Sequence, residues 1–196
     1  MKSLLGQTWV IIIGLILAMA VTRFNHFGSA ISLPDASWAV FFLGGLYLVR
    51  YPRTALAVFT VLLLQAGLMD SYVTTVQGVS DWCMTPAYWF LIPTYGSLWF
   101  VGRWFALNHS LGSKGWGWLT LSAWLANSFA FFLSNASFYL VSGRVNEMTA
   151  TEYVSRVSEY YVSYVSMSML YIAIIVGIQT LFSDFNKSKV RTKLVS

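Results

Sequence analysis

Six apolar runs follow one another along the chain, separated by connections that hold most of its charged residues. Each run is predicted to cross a lipid bilayer as a helix, since a span needs about 20 apolar residues. Only 10% of the residues are charged and 57% are hydrophobic, whereas soluble proteins contain about 25% charged residues. We therefore expect an all-α integral membrane protein, with one six-helix transmembrane domain covering residues 1–196. The runs cover about 4–22, 36–49, 54–69, 86–107, 116–141 and 158–182.

The first run has a second interpretation. Lys2 in front of it and Ala18-Met19-Ala20 behind it also fit a cleavable signal peptide. Its length favours a membrane span. Gly14 and Ala18 lie four residues apart on one helical face, and such a pair of small residues permits close approach of another helix.

Lysine and arginine are distributed unequally between the two sides of the predicted bundle. If the chain starts inside, nine of its twelve basic residues lie in inner segments, and only Arg23, Arg144 and Arg156 lie outside. Because basic residues accumulate on the cytoplasmic side, both termini are predicted to be cytoplasmic and Cys83 to face outward. This distribution explains the net charge of +5 without a nucleic-acid partner. The inner residues are Lys2, Arg50, Arg53, Arg103, Lys114, Lys187, Lys189, Arg191 and Lys193.

The connection between the third and fourth runs holds the candidate site. Asp70 ends the third run, and Asp81-Trp82-Cys83-Met84-Thr85-Pro86-Ala87-Tyr88 leads into the fourth. Cys83 is the only cysteine of the chain, so it forms no disulfide within it. Each residue also has a purely structural interpretation. Cys83 would be a small packing residue, Asp70 a charge that stops a helix, and Tyr88 part of an interfacial aromatic belt.

Polar side chains form a row on each of the last two predicted helices. Rows of this kind inside a bilayer either bind helices to one another or line a cavity. Since both rows end on the side predicted for Cys83, they favour a shared, outward-opening cavity for a large ligand rich in amide groups. The rows are Asn127, Ser134 and Asn135 on the fifth helix and Tyr160, Tyr164, Met167 and Tyr171 on the sixth.

The six-span layout together with Asp70 and the 81–88 segment resembles the solitary cobalamin transporters of the BtuM family. These proteins are relatives of the substrate-binding S-components of energy-coupling-factor transporters. The resemblance implies an S-component-like bundle in the bacterial inner membrane that takes up cobalamin, with no separate cofactor. It implies Cys83 as the ligand of the cobalt, Asp70 and Tyr88 in the binding site, and accessory removal of cyanide from cyanocobalamin at Cys83. Other S-components contact an energy-coupling membrane module through small residues of the first helix, for which Gly14 and Ala18 are the candidates here, whereas the solitary members work without a dedicated module; both alternatives stay open.

Two other classes of function remain open from the sequence. A membrane-embedded thiol hydrolase would use Cys83, His26 and Asp70, which are predicted to lie on the same side of the membrane. A ligand-free assembly subunit would use the polar rows only to pack its helices. No glycine-rich Lys-Ser or Lys-Thr motif occurs in the chain, so it is not expected to hydrolyse ATP alone.

Overall fold

Six α-helices make up most of the described part of the chain, and that part contains no strand. The computed structural model describes residues 2–24, 34–78, 80–111 and 113–195, with side chains described for 8–23, 34–78, 80–111 and 115–181. The prediction of an all-α chain is thus confirmed for these residues. The helices are α1 (Lys2–Phe24), α2 (Ser37–Tyr47), α3 (Pro52–Val76), α4 (Leu91–Asn108), α5 (Ser113–Val141) and α6 (Ala150–Val195), and a short 3-10 helix (Pro86–Phe90) precedes α4.

Two segments of this fold are long and apolar enough to cross a membrane by length and composition, Pro52–Val76 and Ala150–Leu181. By contrast, α2 has only 11 residues, so at 1.5 Å per residue it extends about 17 Å. The hydrocarbon core of a bilayer is about 30 Å thick. A membrane bundle is compatible with these lengths, and six crossings remain a prediction.

The centre of the bundle is α2, which contacts α1, α3, α4 and α6, while α5 packs against α4 and α6. Nine of the 11 residues of α2 are buried. Its sequence is apolar around nearly the whole helix, which is the pattern of a helix covered on every side. The largest fully buried side chains of the core include Phe41, Phe42, Tyr95 and Phe105, which belong to α2 and α4.

Glycines bring the backbones of α2 and α4 into direct contact. A Cβ atom on Gly45 would collide with the carbonyl oxygen of Trp99, and one on Gly102 would collide with that of Phe42. Only glycine fits at both positions, because the obstructing atoms belong to the neighbouring backbone. This contact sets the position of α4 and of the 3-10 helix that leads into it.

The third helix does not end at Asp70, as the sequence suggested. It continues for more than a turn to Val76, and the chain then turns through Gly78, whose φ of 67° lies in the left-handed region. Asp70 is buried on α3. It therefore faces the interior of the bundle and is not a surface charge that stops a helix.

Candidate functional site

A buried ion pair joins the last turn of α1 to α3. The Arg23 guanidinium donates from Nε to Oδ1 of Asp70 at 2.8 Å and from Nη2 to Oδ2 at 2.5 Å. The side chains of Arg23 and Asp70 are only 7% and 9% exposed. Because both carboxylate oxygens accept from one planar guanidinium, the pair has the bidentate geometry that fixes orientation as well as charge.

The other side of the same guanidinium faces α2 and α4. Its Nη1 donates to Oγ of Ser37 at 2.9 Å and to the Tyr95 hydroxyl at 2.8 Å. Asp35 lies further away, with Oδ2 at 3.4 Å from Nη1, and its Oδ1 accepts from the backbone N–H and the hydroxyl of Ser37. The Tyr95 ring is held in turn by stacking on Phe41 at 4.1 Å between ring centres. Arg23 thus connects α1, α2, α3 and α4.

Tyr88 extends this network toward the 70–88 connection. Its hydroxyl donates to Oδ2 of Asp70 at 2.9 Å. The residue lies on the 3-10 helix, whose first turn is closed by the hydrogen bond from the Tyr88 N–H to the Thr85 carbonyl at 2.8 Å. The structure therefore brings together two of the three residues that the sequence assigned to the site.

Cys83 lies in the turn that precedes the 3-10 helix. Its carbonyl accepts from the Thr85 N–H at 3.0 Å, and the residue is exposed, which removes its interpretation as a small packing residue. Desolvation by the surrounding protein atoms raises the pKa of its thiol above the ordinary value, and the negative charge of Asp70 raises it further. The positive charge of Arg23 opposes this rise. Cys83 is therefore close enough to the ion pair for both charges to act on its thiol.

Contacts with α5 and with the turn that follows it hold the residues just before Cys83. Arg144 donates from Nη2 to Oδ2 of Asp81 at 3.3 Å and lies over the Trp82 ring, 5.6 Å from its centre. The same Trp82 ring lies 6.2 Å from that of Phe138. The two residues that precede Cys83 are thus attached to the C-terminal part of α5 and the turn after it.

The polar row of α5 serves two roles. Asn127 is completely buried, and its Nδ2 donates to the Ala123 carbonyl of its own helix at 2.7 Å. Its Oδ1 has no hydrogen-bond partner among the side chains and backbone that the structure describes. Asn135 makes the same kind of bond to Phe131, at 2.8 Å, and lines a cavity between α5 and α6.

The row on α6 faces several environments. Tyr171 donates to the Pro34 carbonyl at 2.9 Å and Tyr164 packs on Trp38 with 5.9 Å between ring centres. Tyr164 also lies within electrostatic range of Cys83. Tyr160 is 59% exposed. Tyr164 is therefore the residue of this row that the structure relates to the candidate site.

A cavity of about 400 Å³ lies between α5 and α6. Its lining is mainly apolar and aromatic, and it does not include Asp70, Cys83 or Tyr88. The Ser128 and Tyr161 hydroxyls on its wall bond to each other at 2.8 Å. A cavity shared by Cys83 and both polar rows stays a prediction. The lining residues are Ser128, Phe131, Phe132, Asn135, Ala136, Tyr139, Leu140, Ala150, Tyr153, Val154, Val157, Ser158 and Tyr161.

The carboxylate of Asp70 is poorly available for the alternative thiol hydrolase. Its Oδ1 accepts from Arg23, and its Oδ2 accepts from both Arg23 and Tyr88. A histidine that assists a thiol needs a free acceptor to orient it. His26, the histidine of that hypothesis, lies outside the described residues.

Sequence reasoning missed Arg23 as a functional residue, and with it Ser37, Tyr95 and the second carboxylate, Asp35. One signal in the sequence pointed to Arg23. It is one of the three basic residues on the predicted outer side, where such residues are scarce, and it directly follows an apolar run. An arginine in that position needs a reason, and the buried Asp70 supplies one.

No protein-family model matches the chain, and no curated protein was found to be similar to it.

Proposed function

We propose that this protein is a membrane transporter that binds cobalamin from the outer side and mediates its uptake. The proposal includes six membrane crossings, both termini in the cytoplasm and a location in the bacterial inner membrane. It is supported by the low charge content, the all-helical fold and the two segments that are long and apolar enough to span. Under this topology Arg23, Asp70 and Cys83 lie toward the outer face.

One observation carries the proposal. The Tyr88 hydroxyl bonds to the Asp70 carboxylate at 2.9 Å, and the exposed residue Cys83 lies close enough to Asp70 for this carboxylate to raise the pKa of its thiol. A thiolate is a strong ligand for a transition metal and must lose its proton to bind. Cobalt enclosed in a corrin ring already has four nitrogen ligands, so one exposed thiolate suffices to coordinate it axially.

Asp70 and Tyr88 would have different roles in such a site. Asp70 already accepts three hydrogen bonds, two from Arg23 and one from Tyr88, so it would orient Tyr88 and set the charge near the thiol. Tyr88 is half-buried, and the exposed side of its ring and hydroxyl would contact an amide substituent of the corrin. Tyr164 would contribute a second aromatic ring from α6.

Removal of cyanide from cyanocobalamin would be an accessory reaction of the same thiol. Coordination of the Cys83 thiolate opposite the cyanide donates electron density to cobalt and weakens the cobalt–carbon bond. Cyanide then leaves with the bonding electron pair, so the oxidation state of cobalt does not change. The Cys83 proton is released to solvent when the thiolate binds.

The exposed face of α1 would meet lipid or an energy-coupling membrane module. Gly14 is exposed, and a Cβ added to it would meet nothing within 4 Å. Ala18 on the same face is half-buried. A larger side chain at Gly14 would therefore leave the fold intact and disturb only an external partner.

The test is the visible absorption spectrum of cobalamin added to the purified protein. Binding with sulfur coordination changes the spectrum of wild-type protein, and Cys83→Ala abolishes the change that is due to sulfur. Gln77→Ala, an exposed substitution six residues away at the end of α3, serves as the control and leaves the wild-type spectrum unchanged. If Cys83→Ala and wild-type protein give the same spectrum with cobalamin, Cys83 is not the cobalt ligand.

A further inference from the structure

The N–H groups of the Arg23 guanidinium donate hydrogen bonds on two sides, toward α3 and toward α2 and α4. Nε and Nη2 meet Asp70, whereas Nη1 meets Ser37 and Tyr95. The partners on the second side belong to α2 and α4, the two helices whose backbones are in contact. Because the guanidinium is planar and held on both sides, its orientation is fixed by the core of the bundle.

The Asp70 carboxylate is oriented by this guanidinium and in turn orients Tyr88. Its Oδ2 accepts from Arg23 Nη2 and from the Tyr88 hydroxyl, and its Oδ1 accepts from Arg23 Nε. A rotation of the carboxylate away from its present plane would break both bonds to Arg23. The acceptor atom offered to Tyr88 is therefore placed by Arg23.

We propose that Arg23 is a positioning residue of the candidate site, which fixes the Asp70 carboxylate and through it the Tyr88 hydroxyl. Arg23 itself is buried at 6% exposure, so it acts without touching a ligand. The part of this inference that concerns ligand affinity rests on the proposed function. The part that concerns the Arg23–Asp70–Tyr88 chain of contacts does not.

The shape of the arginine side chain is required in addition to its charge. A lysine at position 23 would keep the positive charge beside Asp70 but would present a single nitrogen instead of a planar fork. One nitrogen cannot bond both carboxylate oxygens in parallel and also reach Ser37 and Tyr95. Arg23→Lys thus separates positioning from charge compensation, and it avoids the unpaired buried carboxylate that Arg23→Ala would leave.

The experiment is a double-mutant cycle with wild-type protein, Arg23→Lys, Tyr88→Phe and the double variant, each purified as the full chain. The cycle is measured twice, once as melting temperature without ligand and once as Kd for cobalamin. If Arg23 acts through Tyr88, Arg23→Lys lowers the melting temperature less in the Tyr88→Phe variant than in wild-type protein. For cobalamin, each single variant is expected to weaken binding about tenfold, and the double variant no more than about threefold beyond Tyr88→Phe.

Arg103→Lys is the matched control for the arginine replacement. Arg103 also donates a hydrogen bond to a distant part of the chain, the Val49 carbonyl at 3.1 Å, at the opposite end of the bundle from Tyr88. Its effect on melting temperature is expected to be the same with and without Tyr88→Phe, and its effect on cobalamin binding to be negligible.

Additive effects of Arg23→Lys and Tyr88→Phe on melting temperature would overturn the inference, because independent contacts add. Failure of wild-type protein to bind cobalamin would instead reject the proposed function, and the melting cycle would still decide whether Arg23 positions Tyr88. An Arg23→Lys variant with the wild-type melting temperature would show that charge alone is needed at this position.

Discussion

Replacement of Asp70 by asparagine is expected to destabilise the protein strongly. Asparagine has nearly the same shape, but it has one acceptor oxygen and one donor group where aspartate has two acceptors. In the structure three donated hydrogen bonds end on this carboxylate, two from Arg23 and one from Tyr88. Asp70→Asn therefore leaves the guanidinium buried without its counter-charge and places an NH₂ group against at least one other donor.

The magnitude follows from the burial of the pair. The two side chains are 7% and 9% exposed, so solvent screens their interaction little. Removal of one partner of such a buried pair costs about 3–5 kcal/mol. For a chain of this size, 1 kcal/mol corresponds to about 2–4 °C in Tm, which gives an expected decrease of about 6–20 °C.

The assay is thermal unfolding in detergent followed by far-ultraviolet circular dichroism, with Asp81→Asn as the matched control. Asp81 also pairs with an arginine, at 3.3 Å, but its side chain is 72% exposed. An exposed pair contributes about 0–1 kcal/mol, so the control is expected to melt within about 4 °C of wild-type protein. If Asp70→Asn melts at the same temperature as Asp81→Asn, the buried bidentate pair does not form and the reasoning fails.

Three further predictions concern the thiol, the glycine contact and the buried amide. The pKa of Cys83 is raised and only the thiolate binds cobalt, so sulfur coordination of added cobalamin is expected to increase with pH. Asp70→Asn removes a negative charge that raises this pKa. This variant is therefore expected to shift the spectral transition to lower pH. Gly102→Ala is expected to lower Tm by several degrees, since the added Cβ would collide with a backbone carbonyl. The control is Gly117→Ala, where the added Cβ meets open space, and it should stabilise α5 by about 0.5–1 kcal/mol. Asn127→Leu is expected to leave Tm unchanged or higher, because Oδ1 of Asn127 is buried and has no partner within the described ranges. A large decrease in Tm would show that this amide is paired in solution.

The family resemblance implied that Asp70 and Tyr88 belong to one site, and both border the same short connection between apolar runs. They are 18 residues apart, and the connection that separates them has to return to the bundle at the start of the next helix. Their proximity along the chain agrees with that implication. The spacing could not predict that the hydroxyl bonds directly to the carboxylate, nor that α3 continues past Asp70.

Arg23 could not be assigned in this way. Its partners Asp70 and Tyr95 lie 47 and 72 residues away, on helices whose apolar sequences do not show which of them are neighbours. Burial of Arg23 depends on the packing of α1, α3 and α4 around α2, which follows from helix–helix contacts and not from periodicity. Charge counting placed the residue on the outer side, and only the three-dimensional fold provides its acceptors.

The polar row on α5 shows a related limit of prediction from helical periodicity. Helical periodicity places Asn127 and Asn135 on neighbouring positions of one face, but it does not specify what that face meets. Asn127 is enclosed by the core and Asn135 borders the cavity between α5 and α6. The two residues are eight positions apart on α5, so they meet different parts of the helices packed against it.

The glycine contact between α2 and α4 has a consequence for motion. Where their main chains touch at Gly45 and Gly102, α2 and α4 have no side chain between them that can slide, so the two helices are expected to move as one rigid unit. If the protein changes shape to pass a substrate inward, the displacement must occur at the other helix pairs, with α2 and α4 as the fixed frame. Spin labels on α2 and α4 would then keep a constant separation through a transport cycle, while labels on α5 and α6 would not.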